Sequence, residues 1–139
     1  FAMLEEGHIP VRASQARVFH PIRPARWGVS LRQQSKSRFE ALLYKKHPKL
    51  YAAKIGRGPM EYYFMVGIMA AAIALQGAAQ IIAACGWLAW TGAFCARRLR
   101  RNSLAPAHVA EMVWTSMLIP PLSVFWRLAG ALKYRVWFW

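Results

Sequence analysis

Residues 62–96, YYFMVGIMAAAIALQGAAQIIAACGWLAWTGAFCA, run for thirty-five positions without a Lys, Arg, Asp, Glu or His. So long an uncharged run reads as a membrane segment, because a water-facing helix of this length would carry charge on at least one face. As one straight helix it would extend about 52 Å at roughly 1.5 Å per residue, against a hydrocarbon core of about 30 Å. Gln76-Gly77-Ala78 lies near its centre, and Pro59 suits the first turn of an opening limb that ends near Leu75. The stretch therefore predicts a two-helix transmembrane hairpin over residues 59–96. A single tilted helix with its excess length packed on a partner is the alternative.

The flanks agree with an even number of crossings. Residues 1–60 carry twelve Lys/Arg against three Glu, and Arg97, Arg98, Arg100 and Arg101 follow the apolar run. Basic residues mark the cytoplasmic ends of membrane segments, so both flanks belong on one side. The whole chain has a formal charge of +14 with 57% hydrophobic residues. That is too apolar for a disordered basic tail and too basic for an ordinary soluble domain, and it suits a protein facing anionic lipid. Nucleic acid is the other partner such a charge suggests, but no zinc spacing, RNA-binding signature or helix-turn-helix pattern is present, so none is expected. Cys85 and Cys95 both fall inside the apolar run and read as small hydrophobes, not as a disulfide or zinc ligands. The opening FAMLEEG has no signal-peptide pattern and reads as the middle of a domain.

Working outward from the hairpin, residues 1–6 read as the last turns of a helix that Gly7 stops. Residues 8–13, HIPVRA, and 16–20, ARVFH, read as two short strands. Two strands and a helix end make no core, so residues 1–29 are expected to pack on protein outside this sequence. Residues 30–47, SLRQQSKSRFEALLYKKH, form the clearest water-facing helix: Ser30 is its candidate cap, Leu31, Phe39, Leu42 and Leu43 share a face, and Pro48 ends it. This basic helix and its linker fill residues 30–58. Arg32, Gln33, Lys36 and Arg38 on its other face can meet a diphosphate, an acceptor phosphate or lipid headgroups, and a helix lying on the membrane surface is the simpler reading.

Beyond the hairpin, residues 97–139 read as a basic loop and interfacial amphipathic helices. His108, Glu111 and Thr115 form a polar stripe opposite Val109, Met112, Val113 and Met117, and Pro120-Pro121 is expected to break the helix in two. Arg97, Arg98, Arg100, Arg101 and Arg127, with Trp114 and Trp126, are the candidate membrane-interface residues. A third full span is the alternative for this tail.

Residues 4–7, LEEG, then His8-Ile9-Pro10-Val11, then Ala16-Arg17-Val18-Phe19-His20-Pro21, resemble the end of the catalytic domain in bacterial membrane-associated glycosyltransferases of the GT-A fold, family 2-like. The Ala-Pro-Ala-His-Val run at residues 105–109 and Ile-Pro-Pro-Leu-Ser-Val-Phe-Trp-Arg at 119–127 are similar to the tails of such enzymes. The resemblance implies a mainly α membrane protein preceded by the α/β tail end of a GT-A-type domain. It places the nucleotide-binding half, the Asp-x-Asp-type metal motif and the catalytic base upstream of Phe1, so no catalytic residue is expected in this chain. It also implies a divalent metal, Mg or Mn, with His20 as one ligand. Processive members carry Gln-x-x-Arg-Trp near here; Gln33-Gln34-Ser35-Lys36-Ser37 departs from it, which favours single-sugar transfer.

The expectation is thus the membrane-anchoring C-terminal part of an inverting glycosyltransferase. It would take a nucleotide-sugar donor and an acceptor through the upstream domain at the cytoplasmic face of a bacterial inner membrane, with both termini cytoplasmic. The alternative is a small basic, non-enzymatic membrane subunit that scaffolds a larger complex.

Overall fold

A computed structural model describes residues 1–19, 26–56, 58–100 and 102–137. Every regular element among them is helical: α1 (Ala2–Glu5), α2 (Val29–Gln33), a 3-10 turn (Gln34–Ser37), α3 (Arg38–Lys46), α4 (Pro48–Lys54), α5 (Met60–Ala74), α6 (Gly77–Leu99) and α7 (Pro106–Tyr134). The short α1 ends as its sequence suggests. Gly7 takes φ +84°, and the His8 and Gly7 amides donate to the carbonyls of Met3 (2.9 Å) and Leu4 (3.2 Å), which closes the last turn.

The two strands expected at 8–13 and 16–20 do not form among the described residues, so the α/β part of the anticipated fold is absent from them. Alternating apolar residues make a strand only when a neighbour pairs with the backbone, and no strand edge is available here. Val11 and Phe19 are instead 88% and 93% exposed. His20 lies outside the described residues.

The basic helix begins at Gly28, not at a Ser30 cap. Gly28 adopts φ +72°, and its amide donates to the Glu111 carboxylate at 2.7 Å, so a side chain of α7 satisfies this helix start. The helical path tightens to 3-10 geometry over Gln34–Ser37 and resumes as α3. Pro48 then opens α4, where its missing N–H is harmless. Ala41 and Tyr51 form the centre of a small cluster joined by Phe1, Tyr44, Ala131 and Tyr134.

The hairpin forms, with Leu75 and Gln76 in extended backbone between its limbs and Gly77 at φ +64°. Its second limb continues past the anticipated end at Ala96, so Arg97 and Arg98 lie within α6. Rings of Phe64 and Trp90 pack edge to face at 5.0 Å, and the Gln80 side chain donates to the Ala72 carbonyl at 3.2 Å. Cys85 and Cys95 are both free.

The largest departure from expectation is α7, one helix of 29 residues that passes through Pro120 and Pro121. The prolines remove the amides that would bond the Ser116 and Met117 carbonyls, a loss that normally bends or ends a helix. Here packing holds the axis continuous, because Ser116, Ile119, Pro120, Ser123, Val124, Arg127 and Gly130 are all buried on one stripe. Gly130 permits the closest approach: a Cβ there would lie 2.8 Å from Cα of Arg38 on α3.

Candidate functional site

α7 crosses the hairpin at its basic end. Ile119, near the middle of α7, packs with Met65 of α5 and Phe94 of α6, with Leu31 and Tyr62 around them. Toward one end of α7, Arg98 Nη1 donates to Thr115 Oγ1 at 2.9 Å and to Ser116 Oγ at 2.8 Å, and the Thr115 hydroxyl donates on to the Glu111 carbonyl at 2.7 Å. Toward the other end, Arg127 is ion-paired with Glu40 of α3, and its Nε donates to the Tyr63 hydroxyl at 3.2 Å. Contacts to residues 63 and 98 both belong to the hairpin's base, so α7 lies across that base and not alongside the two limbs.

Each of the five glutamates has a partner among the described residues. Glu40 pairs with Arg127 and accepts from the Tyr51 hydroxyl at 3.2 Å; Glu61 pairs with Arg97 and accepts from Trp90 Nε1 at 3.2 Å. Glu111 accepts from the Gly28 amide, Glu5 lies 2.7 Å from His47 Nδ1, and Glu6 lies 3.8 Å from His8. Burial raises the Tyr51 phenol above its ordinary value, with Tyr63 adding to the shift, so Tyr51 remains a protonated donor to Glu40 at neutral pH. Glu5, Glu40, Glu61 and Glu111 thus fasten separate helical segments to one another, and the surplus positive charge is left for the outside.

The anticipated site residues separate into two groups. Arg32, Gln33 and Lys36 are exposed, with Lys36 on the rim of an open groove of about 410 Å³ beside Phe39, Glu40 and Lys46. Arg38 does not join them: it is half-buried, and its guanidinium lies 4.7 Å from the Phe39 ring centre and 5.9 Å from that of Trp126. At the hairpin end Arg97 and Arg100 are exposed and Arg98 is half-buried in its hydroxyl bonds; Arg101 lies outside the described residues. Trp114 is 51% exposed and Trp126 half-buried. Arg127, anticipated at lipid headgroups, is 1% exposed and faces inward, because Glu40 and Tyr63 give it partners there.

Glu40, Glu61 and Gly58 are the residues that sequence reasoning passed over. A Cβ on Gly58 would come within 2.8 Å of Arg127 Cζ, so the glycine makes room for the guanidinium. The available signal was scarcity, since each of five acids in a chain of charge +14 has many potential basic partners and few reasons to stand alone.

No set of three or more His, Cys, Asp or Glu among the described residues could hold a metal ion. The divalent metal that the family resemblance implies would take its acidic ligands from upstream of Phe1 and only His20 from this chain, so its site is not among the described residues.

Polar and apolar side chains share the interior, and large apolar ones cover much of the outside. Thr91, Thr115, Ser116, Ser123 and Arg127 are buried, while Ile73, Ile82 and Leu132 are at least 72% exposed. Small and hydroxylated residues inside with large aliphatic ones outside is the arrangement of helices packed in lipid. The fold defines a coarse class: a helical chain with two helices, Gly77–Leu99 and Pro106–Tyr134, long and apolar enough to cross a membrane, and a shorter apolar helix, Met60–Ala74. No protein-family model, no characterised protein and no solved structure matches this chain.

Proposed function

We propose that this chain is the membrane-anchoring C-terminal part of an inverting glycosyltransferase that works at the cytoplasmic face of a bacterial inner membrane. The observation that carries the anchoring role is the bare upper hairpin, where Ile73, Ile81, Ile82 and Leu88 are all more than half exposed and have no protein cover. Burying such side chains in hydrocarbon is worth about 1.5–3 kcal/mol each, which makes lipid the natural solvent for this surface. Beneath it the basic residues Lys36, Lys46, Arg97 and Arg100 are exposed and suit anionic headgroups.

The transferase half of the reading rests on the short motifs at residues 4–21 and 105–127. Exposed Ile9, Val11, Val18 and Phe19 support it, since an alternating apolar segment without cover suits a sheet belonging to an upstream domain. In that arrangement the anchor contributes position: it holds a nucleotide-sugar domain at the surface where a lipid-borne acceptor is presented, which raises the effective concentration of the acceptor.

Two measurements test this. Reading the coding sequence upstream of Phe1 should show a nucleotide-sugar domain with its Asp motifs; a start codon there would sink the transferase reading in favour of a small membrane subunit. Flotation of the chain with vesicles of mixed neutral and anionic phospholipid, resistant to alkaline carbonate, is expected of the anchor, and recovery in the soluble fraction would overturn it.

A further inference from the structure

We infer that the α5–α6 hairpin is re-entrant: it enters the bilayer from the basic face and turns back inside the hydrocarbon without reaching the far headgroups. This rests on the proposed membrane location and adds that only one interface of the bilayer contacts the protein.

Length is the first ground. α5 has 15 residues, about 22 Å at roughly 1.5 Å per residue, against about 30 Å of hydrocarbon. The part of α5 that stands clear of α7 is shorter still, and it limits the height of the hairpin because both limbs meet at one turn. From Met65, which touches Ile119 of α7, the first limb climbs only about 14 Å to Ala74, and from Phe94 the second limb climbs about 26 Å to Gly77.

The position of the aromatic residues is the second ground. A spanning protein carries Tyr and Trp at both interfaces, where their amphipathic rings sit among headgroups. Within residues 62–96 Tyr62, Tyr63, Phe64, Trp90 and Phe94 lie toward the basic end, Trp87 lies at the middle of α6, and residues 65–86, which include the turn, contain no aromatic. The hairpin has one belt and therefore one interface.

The turn itself is the third. Leu75 and Gln76 carry no charge, and their neighbours Ile73, Ile81 and Ile82 are aliphatic and exposed, so no charged group at the tip anchors it to headgroups. Backbone groups left in hydrocarbon need internal partners. The Leu75 amide donates to the Ala71 carbonyl at 2.9 Å, and the Gln80 side chain reaches across the limbs to the Ala72 carbonyl. The Gln80 side chain thus covers one of the last carbonyls of α5.

The test uses the whole chain with Cys85→Ala and Cys95→Ala, a nitroxide at Gln76→Cys or at Lys54→Cys, and vesicles of neutral and anionic phospholipid. Cys95 is buried, so Cys95→Val replaces the alanine if helicity by circular dichroism falls. The label at position 76 should be relaxed several-fold more by oxygen than by a water-soluble nickel chelate placed on either side, and the label at 54 should show the reverse. Strong relaxation at position 76 by chelate confined to the side opposite Lys54 would overturn the re-entrant hairpin and leave the membrane reading standing. Failure of the labelled chain to float with the vesicles would overturn both.

Discussion

The guanidinium of Arg127 on α7 is ion-paired with the carboxylate of Glu40 on α3, and the two are unequally buried: the Arg127 side chain has no exposed surface, whereas that of Glu40 is 38% exposed. A buried charge that loses its partner keeps its desolvation penalty, which makes the pair asymmetric under mutation. Glu40→Ala should therefore destabilise the packed helices by about 3–5 kcal/mol. Arg127→Ala leaves a carboxylate that water can reach and should cost less, and replacing both residues with Met should recover most of the loss. Thermal unfolding of the purified protein in detergent, followed by circular dichroism, checks the order. Equal losses for the two single variants would show that the burial difference has no energetic weight.

Gly130 gives a second, steric prediction. A methyl group there meets the Arg38 backbone at 2.8 Å from Cα, and backbone cannot swing aside as a side-chain tip can. Gly130→Ala should separate α7 from α3 and lower stability by about 1–3 kcal/mol. Gly67, Gly86 and Gly92 lie in α5 and α6 with nothing within 4 Å of a built Cβ, so alanine at any of them should be neutral or stabilising by up to about 1 kcal/mol through helix propensity. The same unfolding measurement compares them.

The contrast between these elements explains how far the sequence could be read. The hairpin was legible because thirty-five uncharged residues with Gln76-Gly77 at the centre admit few other solutions, and Gly7 and Pro48 act through local backbone geometry alone. In α7 the periodicity was legible but its direction was not. Glu111 and Thr115 do form a stripe, yet that stripe faces inward, because the Gly28 amide and Arg98 supply partners that are distant in sequence. Prolines 120 and 121 were read by local rules that tertiary packing overrides. The pattern at residues 8–13 and 16–20 signals a strand only where a sheet exists to receive it, and the pairing of Glu40 with Arg127 has no local signature at all.

A third prediction concerns the depth of α7. Its outward stripe of Trp114, Phe125, Leu128 and Leu132 is apolar, and the helix lies across the base of the hairpin. If this places it at the acyl boundary, lipids brominated near the headgroup should quench Trp114 and Trp126 more than lipids brominated at the chain ends. Single-tryptophan variants read this directly. Stronger quenching of both from the bilayer centre would make α7 a membrane span instead.

The last prediction concerns which side of the membrane the helices face. Lys54 closes α4, four residues of chain separate it from Pro59, and Arg100 directly follows α6. Glu61 at the start of α5 is ion-paired with Arg97 near the end of α6, which ties the two ends of the hairpin at one level. Positions 54 and 100 must then share a face of the bilayer, whether the hairpin crosses it or turns back inside it, and on the proposed function the density of Lys and Arg turns that face to the cytoplasm. In oriented membrane vesicles of the chain lacking Cys85 and Cys95, Lys54→Cys and Arg100→Cys should react with an impermeant maleimide at similar rates from the cytoplasmic side, and weakly from the other. Glu61→Gln should leave the sidedness unchanged while loosening the base, seen as faster labelling of the native Cys95 in the unsubstituted background, because Phe94 and Cys95 are buried beside the ion pair that it removes. Labelling of positions 54 and 100 from opposite sides would mean that an odd number of segments crosses between them, and the antiparallel hairpin would have to be abandoned.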